Sequence, residues 1–281
     1  MIIDMHTHLL SFKDFGKNLR DDLTRSGIAH DIWTYSEEDY LKATKAADKV
    51  IVFGLKAQRT GWNILNEPVF DFVSRYSSKY IYFASIDPYQ ENYMHDLKYN
   101  HLDLKCKGIK IGPIYQGVHP RDDKYYEIYD YCEKNSLPII THMATTFSSG
   151  VPIDYARPHH MDQIACDFPK LKLVLAHLGH PWEAETIAII RRNENVYADI
   201  SALYYRPWQF YNSMRLAVEY GCTHKLLFGS DYPATTTESS IKGLRNINNI
   251  IKGSGLPVIP EEVTEGIIYR DSIKILSGEL S

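Results

Sequence analysis

Two histidines separated by one residue close the first apolar run of the chain, Met1-Ile2-Ile3-Asp4-Met5-His6-Thr7-His8. In an extended strand, side chains alternate between faces, so Asp4, His6 and His8 are expected on one side. Two imidazoles about 7 Å apart on one strand face can converge on a metal ion, with a carboxylate beneath them to orient a ring. An isolated His-x-His is common, and alone it reads equally well as two ordinary polar residues. Its weight comes from the rest of the chain. Lys110 lies in Gly108-Ile109-Lys110-Ile111, His142 ends Pro138-Ile139-Ile140-Thr141-His142, and His177 ends Leu171-Lys172-Leu173-Val174-Leu175-Ala176-His177. Asp231 ends Leu226-Leu227-Phe228-Gly229-Ser230-Asp231. Each is a metal-binding or acid/base residue in or at the end of a short apolar run, as His6 and His8 are.

The runs themselves predict how these residues are held. Apolar, β-branched segments are expected as strands at 49–54, 80–87, 108–111, 138–142, 171–177, 196–201 and 226–231, after the first one that ends at His8. Helical patterns fall between them, at about 36–48, 67–76, 93–102, 122–134, 160–167, 182–192, 207–220 and 239–251. Ser36-Glu37-Glu38-Asp39 is a helix N-cap followed by acids in the first turn. The polar stretch 11–36 is expected as a loop over a site, and a second polar loop is expected around Arg59, Trp62 and Asn63. Eight strand–helix units predict a (β/α)8 TIM barrel in the α/β class, one domain over 1–281 with a helical tail from about 260. A doubly wound open sheet is the structural alternative, but it would want a glycine-rich first turn and no G-x-G-x-x-G is present. Active sites of such barrels lie at the C-terminal strand ends, which is where His6, His8, Lys110, His142, His177 and Asp231 fall.

Composition narrows the function classes. The 281 residues are 44% hydrophobic and 23% charged with a formal net charge of -4, an ordinary globular balance. A weakly acidic chain has no electrostatic reason to bind nucleic acid or an anionic membrane. No apolar run is long enough to span a bilayer. The opening residues lack a basic region and a small-residue cleavage site. Cys106, Cys132, Cys166 and Cys222 are isolated in the sequence, which fits reduced thiols in a cytoplasmic protein. A small-molecule substrate is therefore the expected partner.

Six segments carry a resemblance that spans nearly the whole chain. Ile3-Asp4-Met5-His6-Thr7-His8, Gly108-Ile109-Lys110-Ile111-Gly112-Pro113 and Leu137-Pro138-Ile139-Ile140-Thr141-His142 are three of them. The others are Leu173 to Trp182 (LVLAHLGHPW), Asn195 to Ser201 (NVYADIS) and Phe228 to Pro233 (FGSDYP). In this order they resemble the amidohydrolase superfamily, in the branch of aminocarboxymuconate-semialdehyde decarboxylase-like and metal-dependent hydrolase barrels. The resemblance implies that His6, His8, His142 and Asp231 are metal ligands, an N3O set that leaves a place for one water, as catalytic Zn2+ requires. It implies one Zn2+ per chain, with Mn2+ or Fe2+ as alternatives that geometry and availability decide between. Asp231 would also carry the water's proton to a leaving group, and His177 would polarise a substrate carbonyl or move protons. Lys110 would bind a substrate carboxylate or pair within the barrel; in binuclear relatives a lysine in this neighbourhood is carbamylated and bridges two ions. Decarboxylase relatives form dimers, which makes a homodimer the analogous expectation.

Around this set, Asp4 and Asp199 are expected to orient ligands from behind, and Asp199 and Ser201 share one strand face. Trp182, His180, Arg157, Tyr204, Tyr205 and Arg206 lie on loops after the fifth to seventh strands, where they could hold an anionic or aromatic substrate. His30, His95, His101, His119, His159, His160 and His224 fall outside the strand-end pattern. Two enzymatic readings follow. The first is a metal-dependent hydrolase acting on a C–O or C–N bond of a small carboxylated substrate. The second is a metal-dependent non-oxidative decarboxylase of an aromatic or unsaturated carboxylic acid. A ligand-binding barrel without turnover is the non-enzymatic alternative, and it leaves the four ligands without a purpose.

Overall fold

The β-branched runs and the helical patterns between them fold as the alternation predicts. The computed structural model describes residues 1–10, 12–27 and 36–278. The strands in chain order are β1 (Ile3–His8), β2 (Lys49–Phe53), β3 (Leu55–Ala57), β4 (Trp62–Ile64), β5 (Tyr80–Ser85), β6 (Ile109–Ile111), β7 (Ile139–Thr141), β8 (Leu173–Leu175), β9 (Val196–Asp199) and β10 (Leu226–Leu227). All but β3 and β4 join in one eight-stranded sheet, in the order β1-β2-β5-β6-β7-β8-β9-β10. Every pair along that order is parallel. The last strand returns to the first through Met5 N to Phe228 O (3.1 Å), Asp231 N to His6 O (2.8 Å) and His8 N to Tyr232 O (2.9 Å). The sheet is thereby closed into the expected TIM barrel.

The helices run α1 (Lys17–Arg25), α2 (Glu37–Ala43), α3 (Asn66–Arg75), α4 (Tyr93–Leu102), α5 (Pro113–Gln116), α6 (Asp123–Lys134), α7 (His160–Asp167), α8 (Glu183–Arg192), α9 (Pro207–Glu219), α10 (Thr237–Arg245), α11 (Glu261–Ile268) and α12 (Ser272–Ser277). Side-chain caps fix several starts: Ser36 accepts from Asp39 N, Asp122 from Lys124 N, Thr236 from Ser239 N and Asp271 from Lys274 N. Each satisfies an amide the first helical turn leaves unpaired. Among the described residues no helix is long and apolar enough to cross a membrane.

Strand alternation divides the core into an inner and an outer layer. Ile51, Phe53, Phe83, Ile140, Val174 and Leu227 fill the barrel together with Met5. Their neighbours Val50, Val52, Tyr82, Ile109, Ile139, Leu173 and Ala198 pack outward against the helices. Leu276 of α12 joins the inner cluster, so the C-terminal tail is one of the elements that seal the barrel. A third apolar cluster joins Leu19 and Leu23 of α1 to Leu55, Ala57, Trp62 and Ile64 of the β3–β4 hairpin and to Tyr115.

Four departures from the sequence reading have physical causes. The stretch 11–36 is not one loop: it carries a 3-10 turn at Phe12–Asp14 and helix α1, while residues 11 and 28–35, with His30, lie outside the described residues. The polar loop expected around Arg59, Trp62 and Asn63 is the antiparallel β3–β4 hairpin. The strands expected to run to His177 and Asp231 end at Leu175 and Leu227, and both of those later residues take left-handed backbone, φ 57° and 62°, which no strand continues. The helix expected at 239–251 ends at Arg245, and a 3-10 turn covers Ile247–Ile251.

Candidate metal and active site

Strand β1 brings its two histidines into the barrel by breaking its own alternation. Its pairing with β2 slips between Asp4 and Thr7. Met5 therefore joins the inner cluster, His6 and His8 follow it inward, and Thr7 turns out to place its Oγ1 2.6 Å from Tyr40 Oη. Asp4 does not share the histidine face as strict alternation predicts. Its carboxylate accepts from the amides of His6 (3.4 Å) and Ser230 (2.8 Å) and from the Thr237 hydroxyl (2.6 Å). It thus secures the β1–β10 seam and touches no imidazole. Burial raises its pKa to about 6 against the pull of these bonds.

The ligand-type atoms converge at the C-terminal strand ends. His6 Nε2 lies 3.2 Å and His8 Nε2 3.5 Å from Asp231 Oδ1. Such separations are those of neighbouring corners of a tetrahedron with bonds of about 2.1 Å, so the three atoms fit one divalent ion. Behind them Asp199, on β9, holds the back of the His6 ring, with Oδ2 2.9 Å from Nδ1. The other Asp199 oxygen accepts from the amides of His177 (3.1 Å) and Ser201 (3.0 Å) and from the Ser201 hydroxyl. Asp199 therefore holds His6 from behind, the place expected of both it and Asp4.

His177 stands between His6 and His142, with ring centroids 4.7 and 4.9 Å away. Its Nδ1 is 2.8 Å from Ser201 Oγ and its Nε2 3.2 Å from His142 Nδ1. His142 is thus placed against His177 rather than against Asp231, and its Nε2 is 3.0 Å from the Ala144 carbonyl oxygen. Lys110, fully buried on β6, puts its Nζ 3.5 Å from His6 Nε2 and 4.7 Å from the centre of the Phe53 ring.

Electrostatics follow from burying these groups together. Desolvation, then the Lys110 charge, hold His6 and His8 well below the usual imidazole range, and His142 is lowered to about 3 for the same reasons. Burial lowers His177 as well, followed by its His6 and His142 neighbours. In all four rings burial favours the neutral form, the one that coordinates metal. Burial raises Asp231 well above the carboxylate range, with Lys110 opposing, and lowers Lys110 below the usual ammonium range, with Asp199 and Asp231 opposing.

A cavity of about 640 Å3 opens over this floor. His8, Lys110, His142, His177 and Asp231 reach it from below, and Trp62, Tyr115, Phe147 and Tyr205 supply aromatic walls. Arg206 and His180 also line it. Of the other loop residues, Arg157 pairs with Glu185, Tyr204 donates to the Gly229 carbonyl, and Trp182 packs on the apolar cluster over the barrel. Tyr115, whose ring centre is 4.5 Å from that of His142, was not foreseen; its only signal was its place just after the Gly108–Pro113 motif. Trp62 and Phe147 likewise come from segments whose structure the sequence did not give away.

The model of a family described as amidohydrolase matches residues 3–270. None of the curated proteins compared with the chain matches it. Among solved structures, an uncharacterised TIM-barrel protein from Bordetella bronchiseptica is 20% identical with TM-score 0.71, covering 99% of each chain. A probable 2-pyrone-4,6-dicarboxylic acid hydrolase from Acinetobacter baumannii, with citric acid bound, is 13% identical with TM-score 0.64 and 99% of each chain covered. A dihydroxybenzoic acid decarboxylase from Polaromonas, with bound manganese and an inhibitor, is 11% identical with TM-score 0.66, covering 100% of this chain and 98% of that one. At these identities the likeness is one of fold.

Proposed function

The chain belongs to the amidohydrolase family, whose members depend on divalent metal, and from that premise we propose that it is a metal-dependent hydrolase of a small carboxylated substrate. The observation that carries this reading is the convergence of His6 Nε2, His8 Nε2 and Asp231 Oδ1 at the floor of the cavity. These three residues, with His142 as fourth donor, would hold one divalent ion, Zn2+ first and Mn2+ or Fe2+ as alternatives. Such an ion, when bound, supplies Lewis acidity that polarises a substrate oxygen and acidifies water.

The protein's own groups supply the rest. Asp231, whose pKa burial raises, takes the proton as the attacking water bonds to the acyl carbon. It returns that proton to the leaving oxygen or nitrogen as the C–O or C–N bond breaks. Neutral His177, held through Nδ1 by Ser201, would orient the substrate oxygen by hydrogen bonding. Lys110 and Arg206 are the cations available to a substrate carboxylate, and the aromatic walls exclude water and hold a planar body.

The second reading, non-oxidative decarboxylation, is supported by the same walls: four aromatic rings and two cations suit an aromatic acid. The experiment that separates the two uses cyclic ester acids and hydroxybenzoates on enzyme loaded with Zn2+, Mn2+ or Fe2+. Hydrolysis releases one acid equivalent per turnover and incorporates 18O from labelled water. CO2 release without 18O incorporation establishes the decarboxylase instead, and no turnover with any of the ions and substrates counts against both.

A further inference from the structure

Outside the barrel centre, three residues that the strand-end pattern left aside come together. His119 lies on the loop after α5, Asp154 in the 3-10 turn Ile153–Ala156, and His160 opens α7. We propose that His119, Asp154 and His160 form a second divalent-ion site, separate from the one at the strand ends. One donor atom from each lies within 4.8 Å of the others. His160 Nε2 is 3.0 Å and His119 Nε2 4.0 Å from the same oxygen, Asp154 Oδ2. The two rings meet edge to face with centroids 4.4 Å apart.

Three features make this a ligand set rather than a surface ion pair. The His160 side chain is only 8% exposed, and its Nδ1 is buried with no partner among the described residues. Its polar contact is therefore concentrated on Nε2, the nitrogen that faces Asp154. The His119 ring is held in place by the Arg121 amide, which donates to its Nδ1 (3.1 Å) and leaves Nε2 facing the same Asp154 oxygen. A third imidazole, His159, stands beside His160 with ring centroids 3.9 Å apart.

Two imidazoles and one carboxylate, open to solvent on the half-exposed Asp154 side, select Zn2+, Cu2+ or Ni2+ over the oxygen-seeking Ca2+ and Mg2+. An ion there ties the segment after β6 to the segment after β7. The latter also carries Ala144 to Phe147, part of the cavity wall. Occupancy of the outer site stiffens that wall from outside, without contact to the reacting atoms.

Equilibrium dialysis of the full-length chain against Zn2+, with ions counted per chain, tests this. In a His6→Ala/His8→Ala/Asp231→Asn background, which removes three of the four barrel donors, one equivalent is expected to bind. Adding His119→Ala or Asp154→Asn weakens that equivalent at least about tenfold, as loss of a ligand must if loss of a ligand's supporting partner costs 10- to 100-fold. Both added substitutions fall at partly exposed side chains, and circular dichroism melts confirm that the fold is kept. No bound equivalent in that triple-substituted background at millimolar free Zn2+ overturns the site. So does an equivalent that neither substitution weakens. Because the barrel set is disabled in every arm, failure of the hydrolase reading leaves the result interpretable.

Discussion

Asp199 is the residue on which the His6 ring depends, since it bonds Nδ1 while the opposite nitrogen faces Asp231. Asp199→Asn is predicted to lower ion affinity about 10- to 100-fold while leaving the circular dichroism spectrum unchanged. Chelator competition measures this, and unaltered affinity would remove Asp199 from the site. Lys110 makes the opposite prediction. Its Nζ, 3.5 Å from His6 Nε2, repels a bound cation, so Lys110→Met is expected to keep the ion with equal or higher affinity and to raise KM for a carboxylated substrate. Loss of an ion in that variant would mean that Lys110 bridges a metal pair. At this scale the sequence was informative wherever a reactive residue closed an apolar run: His6, His8, Lys110, His177 and Asp231 all meet at one floor. It misled at Asp4, because a register slip of one residue inside β1 turns that carboxylate to the seam with β10. It also did not show that His142 sits against His177, because that depends on ring orientation, which spacing does not encode.

Among the elements, β10 must approach β1 closely for Asp231 to reach the histidines. Gly229 permits that approach: a Cβ there would lie 2.8 Å from His6 Cβ and 3.3 Å from His6 N. Gly229→Ala is predicted to displace β1, cost about 1–3 kcal/mol of stability and abolish ion binding at the barrel centre. Urea denaturation with ion counting on the variant reads both; wild-type values in both would show that the seam has slack. The barrel strands and their crossover helices were legible because their apolar periods differ, two in strands and 3.6 in helices. The β3–β4 hairpin was not, since each strand has three residues and too little alternation to register. Helix α1 was missed for a related reason. Its apolar anchors are Leu19 and Leu23 alone, one turn apart in a run of charged and polar residues.

For the molecule as a whole, the barrel is sealed by an element distant in sequence. Leu276 in α12 packs among Met5, Ile51, Phe83 and Leu227 inside the barrel. Leu276→Ala is predicted to cost about 2–5 kcal/mol, the range for emptying a buried leucine site, with ion binding at the strand ends unchanged. A melt that does not move would show that the tail merely rests on the barrel. The helical tail from about 260 was foreseen, but its role in the core was not, because an amphipathic turn does not reveal what it covers. The most direct measurement of the metal reading is anomalous scattering from crystals grown with Zn2+. An anomalous peak about 2.0–2.2 Å from His6 Nε2, His8 Nε2 and an Asp231 oxygen is the predicted result. Full occupancy elsewhere with no peak among those three atoms would contradict it.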